Sequence, residues 1–300
     1  MLKRTLSDAV AVRFFLPSPE LRPYISTYYL TEVSVPEGQA VRDWLHPEWA
    51  NLRFAHNDGW EAAIGAEPLR PAPQFIATGP TSQAALFVTG PMRAWGIGLL
   101  PLGWVRLLRA NAADYADRFV DGSADLNFAA FGPLLNRIFS AASDPAVEAE
   151  RIDAFMLALL AQRPPSEDEP RIRAAHAALL DAEIGAVGEL ADKLAISSRS
   201  LERLSLKAFG FSPKLLLRRQ RFLRSLAQFM LDPSLTWIST LDFHYVDQAH
   251  FVRDFRRFMG MSPSKYAALD HPVMRAAARA RAAAMGEAVQ ALHPSAPPKA

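Results

Sequence analysis

Cysteine is absent from the 300 residues, so no disulfide framework, thiolate zinc site or cysteine nucleophile can be built. Long apolar runs are missing too. The longest, AFMLALLA at 154–161, falls well short of the about 20 residues that a membrane span needs. The opening MLKRTLSDAV has basic side chains with no apolar stretch behind them, which predicts no secretory signal. These absences together predict a cytoplasmic protein with no membrane partner. Catalytic signatures are equally scarce. There is no G-x-S-x-G and no Walker loop, and Gly96-x-Gly98 lacks the third glycine of a dinucleotide loop. A metal centre needs clustered His and carboxylate ligands. The front part offers His46, His56 and His176 with no H-x-H, and His46-x-Glu48 stands alone. The expectation is therefore no enzyme, no catalytic residue, no metal and no cofactor. Acid–base work from scattered Asp and Glu stays open, but no pair stands out.

Net charge is also small, at +2, yet it is unevenly spread. Residues 185–285 carry 16 Lys/Arg against 8 Asp/Glu, whereas residues 1–184 carry 16 against 22. A basic block behind an acidic remainder points to a polyanion bound at one end, with a solvated basic surface as the plain alternative. Half of the residues are apolar, with 6 Trp and 18 Phe, which is globular composition, and the length suggests about two domains.

Residues 1–100 read as strands. Short apolar segments recur between Pro and Gly: Tyr24–Leu30, Asn51–Ala55, Trp60–Ile64, Gln74–Ala77, Ala84–Val88 and Ala94–Leu100. Such spacing predicts an antiparallel sandwich or barrel. From Pro101 the period becomes helical, with stripes through Phe128, Phe131, Leu134, Leu135, Ile138 and Phe139, and through Ile152, Phe155, Met156, Leu159 and Leu160. QRPPSEDEP at 162–170 has three prolines and an acidic cluster and reads as a linker. The fold class expected is α+β. A β-rich, sandwich- or barrel-like domain with a helical end covers 1–161, and an all-α domain covers 171–268. An Ala-rich extension, helical but frayed, and a disordered tail occupy 269–300.

The all-α part has the pattern of two helix-turn-helix units. Such a unit needs two short helices with a tight turn, the second presenting an apolar inner face and a polar outer face to the major groove. Val187, Leu190, Ala191 and Leu194 form the inner face of a first helix, Ala195-Ile196 the turn, and Ser197 or Ser198 an N-cap. Leu201, Leu204, Ala208 and Phe209 then form the inner face of a second helix, and Gly210 ends it. About 50 residues on the pattern repeats. Trp237, Leu241 and Phe243 suggest a first helix, His244-Tyr245-Val246 a turn and Asp247 an N-cap. Ala249, Phe251, Phe255 and Phe258 lean inward in the next helix, before Gly260. A long helix from Pro213 joins the units. Two recognition helices fixed in this way enter successive major grooves, about 34 Å apart.

SSRSLERLSLKAFGFSPK (197–214) and DFHYVDQAHFVRDFRRFMGMSPSKY (242–266) resemble the AraC/XylS family of transcription regulators. The resemblance is strong over about 185–268. It is weaker in front, through LRPYISTYYL, LHPEWANLRF, TGPTSQAALF and GIGLLPLGW. It implies a sequence-specific DNA-binding regulator, activator or repressor. Base contacts would come from Arg199, Glu202 and Arg203 in the first recognition helix, and from Gln248, Ala249, His250 and Arg253 in the second. Arg can bond guanine O6 and N7 together, Gln can pair with adenine, and Ala can touch a thymine methyl. Lys207, Arg218, Arg256 and Arg257 suit phosphate. Plainer readings stand beside these: Arg203 paired with Glu202 or Asp192, and His250 as a packing residue. The resemblance also implies a front domain that senses a small-molecule effector or dimerises, and RNA polymerase as a partner if the output is activation. Trp44, Trp49, Trp60, Phe75, Phe87 and Trp95 would line an effector pocket or simply fill the core. Four positions depart from the family. Ser205, Ser239 and Thr240 stand at positions usually apolar or small, and His244 stands at the usual turn glycine. They motivate one alternative, an interaction module that has lost DNA binding. A DNA-binding fusion to an enzyme is the other.

Overall fold

The computed structural model describes residues 9–108, 110–139 and 144–294. The N-terminal basic stretch and the last prolines therefore lie outside the described residues.

Ten strands come first or nearly so: β1 (Val10–Phe15), β2 (Ile25–Val33), β3 (Val41–Leu45), β4 (Asn51–Ala55), β5 (Trp60–Ile64), β6 (Arg70–Pro71), β7 (Phe75–Thr78), β8 (Ala85–Thr89), β9 (Met92–Leu99) and, after the first helix, β10 (Phe119–Asp121). They form two antiparallel sheets, ordered β1-β2-β9-β4-β7-β10 and β3-β8-β5-β6. Val12, Val33, Val41, Trp60, Ile76 and Phe87 pack together in the smaller of two apolar cores, which draws on both sheets. The larger core joins the six-stranded sheet, through Tyr28, Leu30, Leu52, Phe54, Trp95 and Ile97, to the helices. A sheet covered on both faces has no solvent side, so all five residues of β4 are buried.

The helices are α1 (Pro101–Leu107), α2 (Pro133–Ile138), α3 (Pro145–Ala161), α4 (Glu169–Leu180), α5 (Val187–Lys193), α6 (Ser198–Phe209), α7 (Pro213–Leu231), α8 (Gln248–Met259), α9 (Pro263–Ala267) and α10 (Pro272–Met285). The α+β expectation thus holds, with a β-rich front and an all-α rear. No described helix is long and apolar enough to cross a membrane.

Two expectations need correcting. The stretch 237–243 is not a helix of the second unit. Only Trp237–Thr240 turns, as a short 3-10 helix. Hydroxyls compete for its backbone: Thr236 caps the Ser239 N–H, Ser239 Oγ donates to the Thr236 carbonyl at 2.7 Å, and Thr240 Oγ1 donates to that of Trp237 at 3.0 Å. The Ala-rich stretch 276–285 is helical, as expected, but not frayed. Ala-rich composition favours helix, and α10 packs along β1 and β3. Its first two N–H groups, at Val273 and Met274, donate to Asp43 Oδ2 at 3.0 and 2.8 Å, and Asp43 Oδ1 lies 3.0 Å from His271 Nδ1. The positive φ of 78° at Gly286 ends the helix. Residues 288–292 are then buried, with the Gln220 amide donating to the Ala291 carbonyl at 2.7 Å.

Candidate nucleic-acid interface

In the first unit, α5 and α6 meet at a turn where Ala195 takes φ 51°. Ser197 caps α6 through the Ser200 N–H, and Gly210, at φ 81°, ends it. Leu201, Leu204, Ser205, Ala208 and Phe209 are buried. Phe209 packs edge-to-face on Trp49 of the front part, with ring centroids 5.6 Å apart. The apolar period thus turns one face inward, and Arg199, Glu202, Arg203 and Lys207 are left exposed. Arg203 and Lys207 also line a cleft against Leu108, Asn111 and Ser166. Lys207 Nζ bonds Asp168 Oδ2 at 2.7 Å, and Lys207 is the main cause that holds the Asp168 carboxyl below its usual range.

The second unit reaches the same end differently. Asp247 caps α8 by accepting from the His250 N–H at 2.6 Å, and Gly260, at φ 69°, ends it. Phe251, Phe255 and Phe258 pack on Phe222 of α7. Trp237 stacks on Phe229, with centroids 3.9 Å apart, and meets Phe255 edge-on. Gln248, Ala249, Arg253, Arg256 and Arg257 are exposed. Ala249 therefore sits on the outer face and not, as the spacing suggested, on the inner one.

His250 is half-buried, with its ring edge-on to Tyr245. Its Nε2 lies 3.1 Å from Arg221 Nη2. Arg only donates, so Nε2 accepts and the ring proton sits on Nδ1. Burial, reinforced by Arg221, lowers the His250 pKa and so favours the neutral ring. Arg218 does not stand free on the surface. It bonds Asp254 Oδ1, while Arg221 Nη2 and the Tyr245 hydroxyl reach Oδ2 at 3.1 and 3.2 Å.

Sequence reasoning passed over two residues that organise this surface. Asp254 is fully buried, and its signal was available: it is the one acidic residue of QAHFVRDFRRFM. Arg219 reads in the sequence as part of a basic side of α7 with Arg218, Arg221 and Arg224, and the structure corrects this. It is fully buried, donating from Nη1 to the Thr81 and Glu48 carbonyls at 2.9 and 3.2 Å, with its guanidinium 3.9 Å from the Trp49 ring centre. Burial depresses its pKa to about 9. The end of α8 also touches the front part, where the Phe258 carbonyl accepts from the Ala84 N–H at 2.7 Å.

The four departures have local accounts. Ser239 and Thr240 belong to the 3-10 turn described above, and Ser205 is buried in α6. His244 does not take a positive φ. Its ring Nε2 bonds the Ala182 carbonyl at 2.7 Å and ties the second unit to the segment ahead of α5. No metal-ligand cluster occurs among the described residues.

Residues 190–268 match a family of helix-turn-helix domains. No curated protein matches the chain. Among solved structures, the chain is similar to ToxT from Vibrio cholerae O395, at 11% identity and a TM-score of 0.40, over 76% of this chain and 96% of that one. It is also similar to unsaturated fatty acid-bound ToxT from Vibrio cholerae strain SCE256, at 10% identity and 0.42, over 88% and 96%. The AraC-like transcriptional activator CuxR is 16% identical with a TM-score of 0.23, over 73% and 88%. With the domain match, the paired units and the motifs they carry agreeing, residues 190–268 are a helix-turn-helix domain of the AraC type.

Proposed function

We propose that this protein is a sequence-specific transcription regulator whose two recognition helices, α6 and α8, read successive major grooves under the control of its front part. One observation carries the reading: both helices are capped, stopped by a left-handed glycine and packed on α7, with basic side chains left on their outer faces. Arg199, Glu202 and Arg203 contact bases in one groove, and Gln248, Ala249, His250 and Arg253 in the next. Lys207, Arg218, Arg256 and Arg257 hold phosphates. Lys207 and Arg218 exchange carboxylate partners for phosphate on binding. Residues 171–268 form the DNA-binding part, 1–161 the controlling part and 162–170 the link. A small-molecule effector or a second copy of the chain acts at the front, and an activating output engages RNA polymerase.

Control has a route. Arg219 on α7 and Phe258 on α8 are both held by the front part, so a change there biases the helices' arrangement. A second reading, a protein-interaction module, is favoured by the exposure of Ile238, Phe243 and Val246 beside α8.

Selection from random duplex DNA at two salt concentrations tests the proposal. A two-part motif with half-sites about one helical turn apart is expected, with affinity falling steeply as salt rises. Arg203→Ala relaxes specificity at one base pair, and Arg256→Ala weakens all sequences alike. Equal losses on every sequence for both variants would overturn this assignment of roles. No enrichment at low salt would favour either the interaction module or a requirement for an effector missing from the assay.

A further inference from the structure

A hydrogen-bond network joins the connecting helix α7 to the first turn of the second recognition helix. Arg221 of α7 divides the two protons of its Nη2. One goes to Asp254 Oδ2 and the other to His250 Nε2, each at 3.1 Å. The Arg221 guanidinium lies 4.5 Å from the Tyr245 ring centre, and the Tyr245 hydroxyl donates to the same Asp254 oxygen at 3.2 Å. Arg218 holds the other oxygen of Asp254. The His250 ring stands edge-on to Tyr245, with centroids 5.2 Å apart. Arg221 is thus fixed by a buried carboxylate and an aromatic face, and His250 meets a donor whose place is set from elsewhere.

The network leaves the neutral ring one tautomer. A guanidinium only donates, so the nitrogen facing it must accept. A proton on Nε2 would point at the Arg221 donor, and Asp254 Oδ2, at 4.0 Å, is beyond hydrogen-bond reach. The ring proton therefore sits on Nδ1. That atom has no partner among the described residues, and the His250 side chain is 26% exposed. His250 is the third residue of α8, with Gln248, Ala249 and Arg253 exposed around it. Residues in the first turn of a recognition helix are those that reach base edges. What His250 offers there is a donor with no acceptor beside it.

We propose that Arg221 is a positioning residue for base reading: from α7 it holds His250 in the Nδ1–H form, so that α8 presents a donor and excludes cytosine at one position. In the major groove guanine offers two acceptors, N7 and O6, adenine offers N7 and thymine offers O4. Cytosine offers only the N4 donor. A donor-only ring therefore prefers guanine, tolerates adenine and thymine, and leaves cytosine facing it donor to donor. The base preference rests on the function proposed above, whereas the tautomer does not.

The test has two readouts on the full chain. Nitrogen-15 NMR of the histidine rings should show His250 with its proton on Nδ1 and a bare Nε2. Arg221→Met should move the proton to Nε2 or leave a mixture, a change that a merely structural arginine would not cause. Selection from random duplex DNA should then show cytosine excluded at one position of the half-site read by α8. In Arg221→Met cytosine should rise there by roughly threefold to tenfold, the worth of one neutral hydrogen bond, with the other positions unchanged. His250→Asn keeps Arg221 and Asp254 but carries both a donor and an acceptor, so it should admit cytosine at the same position. It decides the matter if loss of Arg221 unfolds the chain. A proton on Nε2 in the unaltered chain, an unchanged tautomer in Arg221→Met, or a loss shared by all sequences in His250→Asn would overturn the proposal. The last result would place the ring on phosphate. Enriched DNA with the wrong tautomer removes this inference alone. The expected tautomer with no DNA enriched, effector supplied or not, removes the regulator reading and the base preference with it.

Discussion

The two helix-turn-helix units present their recognition helices in similar ways and hold them by different means. α6 follows a true first helix and is held from two sides, by Trp49 of the front part against Phe209 and by Asp168 at the start of α4 against Lys207. α8 follows only a 3-10 turn, and Ile238, Phe243 and Val246 near that turn remain exposed. What fixes α8 is α7. Phenylalanines interlock along the helix pair, and Asp254 collects Arg218, Arg221 and Tyr245. A recognition helix thus needs a rigid seat, and a preceding helix is one way of making it. Packing is cheap and tolerant. A buried carboxylate with three partners is exacting, because each partner is stranded when it goes.

Asp254→Ala should therefore be the most damaging change. Removing one partner from a buried charged cluster costs about 3–5 kcal/mol, and the second unit should suffer first. Urea unfolding measures the cost. DNA selected by the variant should lose the half-site read by α8 and keep the one read by α6. A loss under about 1 kcal/mol with both half-sites kept would show that the aromatic contacts alone hold α8.

The join between front and rear parts differs from both units in being rich in histidines buried as neutral rings. His46 Nε2 lies 2.7 Å from the Tyr266 hydroxyl of α9, and the His176 ring stands edge-on to Trp49. Burial is the main cause that lowers both pKa values from the ordinary 6.5 to about 3. The unfolded chain takes up protons below about 6.5 and the folded chain does not. Stability is then complete above about 6.5 and falls with pH towards about 3. Each ring contributes a loss of about 1.4 kcal/mol per pH unit. Unfolding midpoints between about pH 7 and about pH 5 should show this slope, and His46→Gln should make it shallower. A stability flat across that interval would mean that the rings are hydrated and the join is loose.

Much of this was legible in the sequence. Strands β4 and β5 coincide with the predicted Asn51–Ala55 and Trp60–Ile64, because both are apolar runs bounded by turn residues. β1 and β3 escaped. Both VAVRFF and VRDWL are covered by α10, which lies more than 220 residues away in sequence, so nothing local marks them. Helical period, caps and stop glycines located both recognition helices, since these signals are local. Arg219 and Arg281 could not be found in that way. Nothing local distinguishes a buried arginine from a solvated one, and only the tertiary arrangement puts them in the interior. The candidate pocket aromatics divided: Trp60 and Phe87 pack in the smaller core and line a cavity, Trp95 lines that cavity and packs in the larger core, and Trp49 and Phe75 pack in the larger core.

The smallest effect is the most pointed comparison, because the two turns should respond to glycine in opposite directions. Ala195 holds φ 51° between α5 and α6, a left-handed conformation that penalises any side chain with a Cβ. Ala195→Gly should stabilise the chain by about 0.5–1 kcal/mol, measured as a higher urea midpoint. His244 occupies the corresponding turn of the second unit without a positive φ, and its ring holds the Ala182 carbonyl at 2.7 Å. His244→Gly gains no relief from strain there. It loses that hydrogen bond and frees the backbone, so it should destabilise by about 1–2 kcal/mol. Ring loss would also open the space where His244 now abuts Gly185, at 2.7 Å from a Cβ built on that glycine. If both glycine variants shift the midpoint in the same direction, the second turn is strained like the first, and His244 is a tolerated defect and not the link between the units.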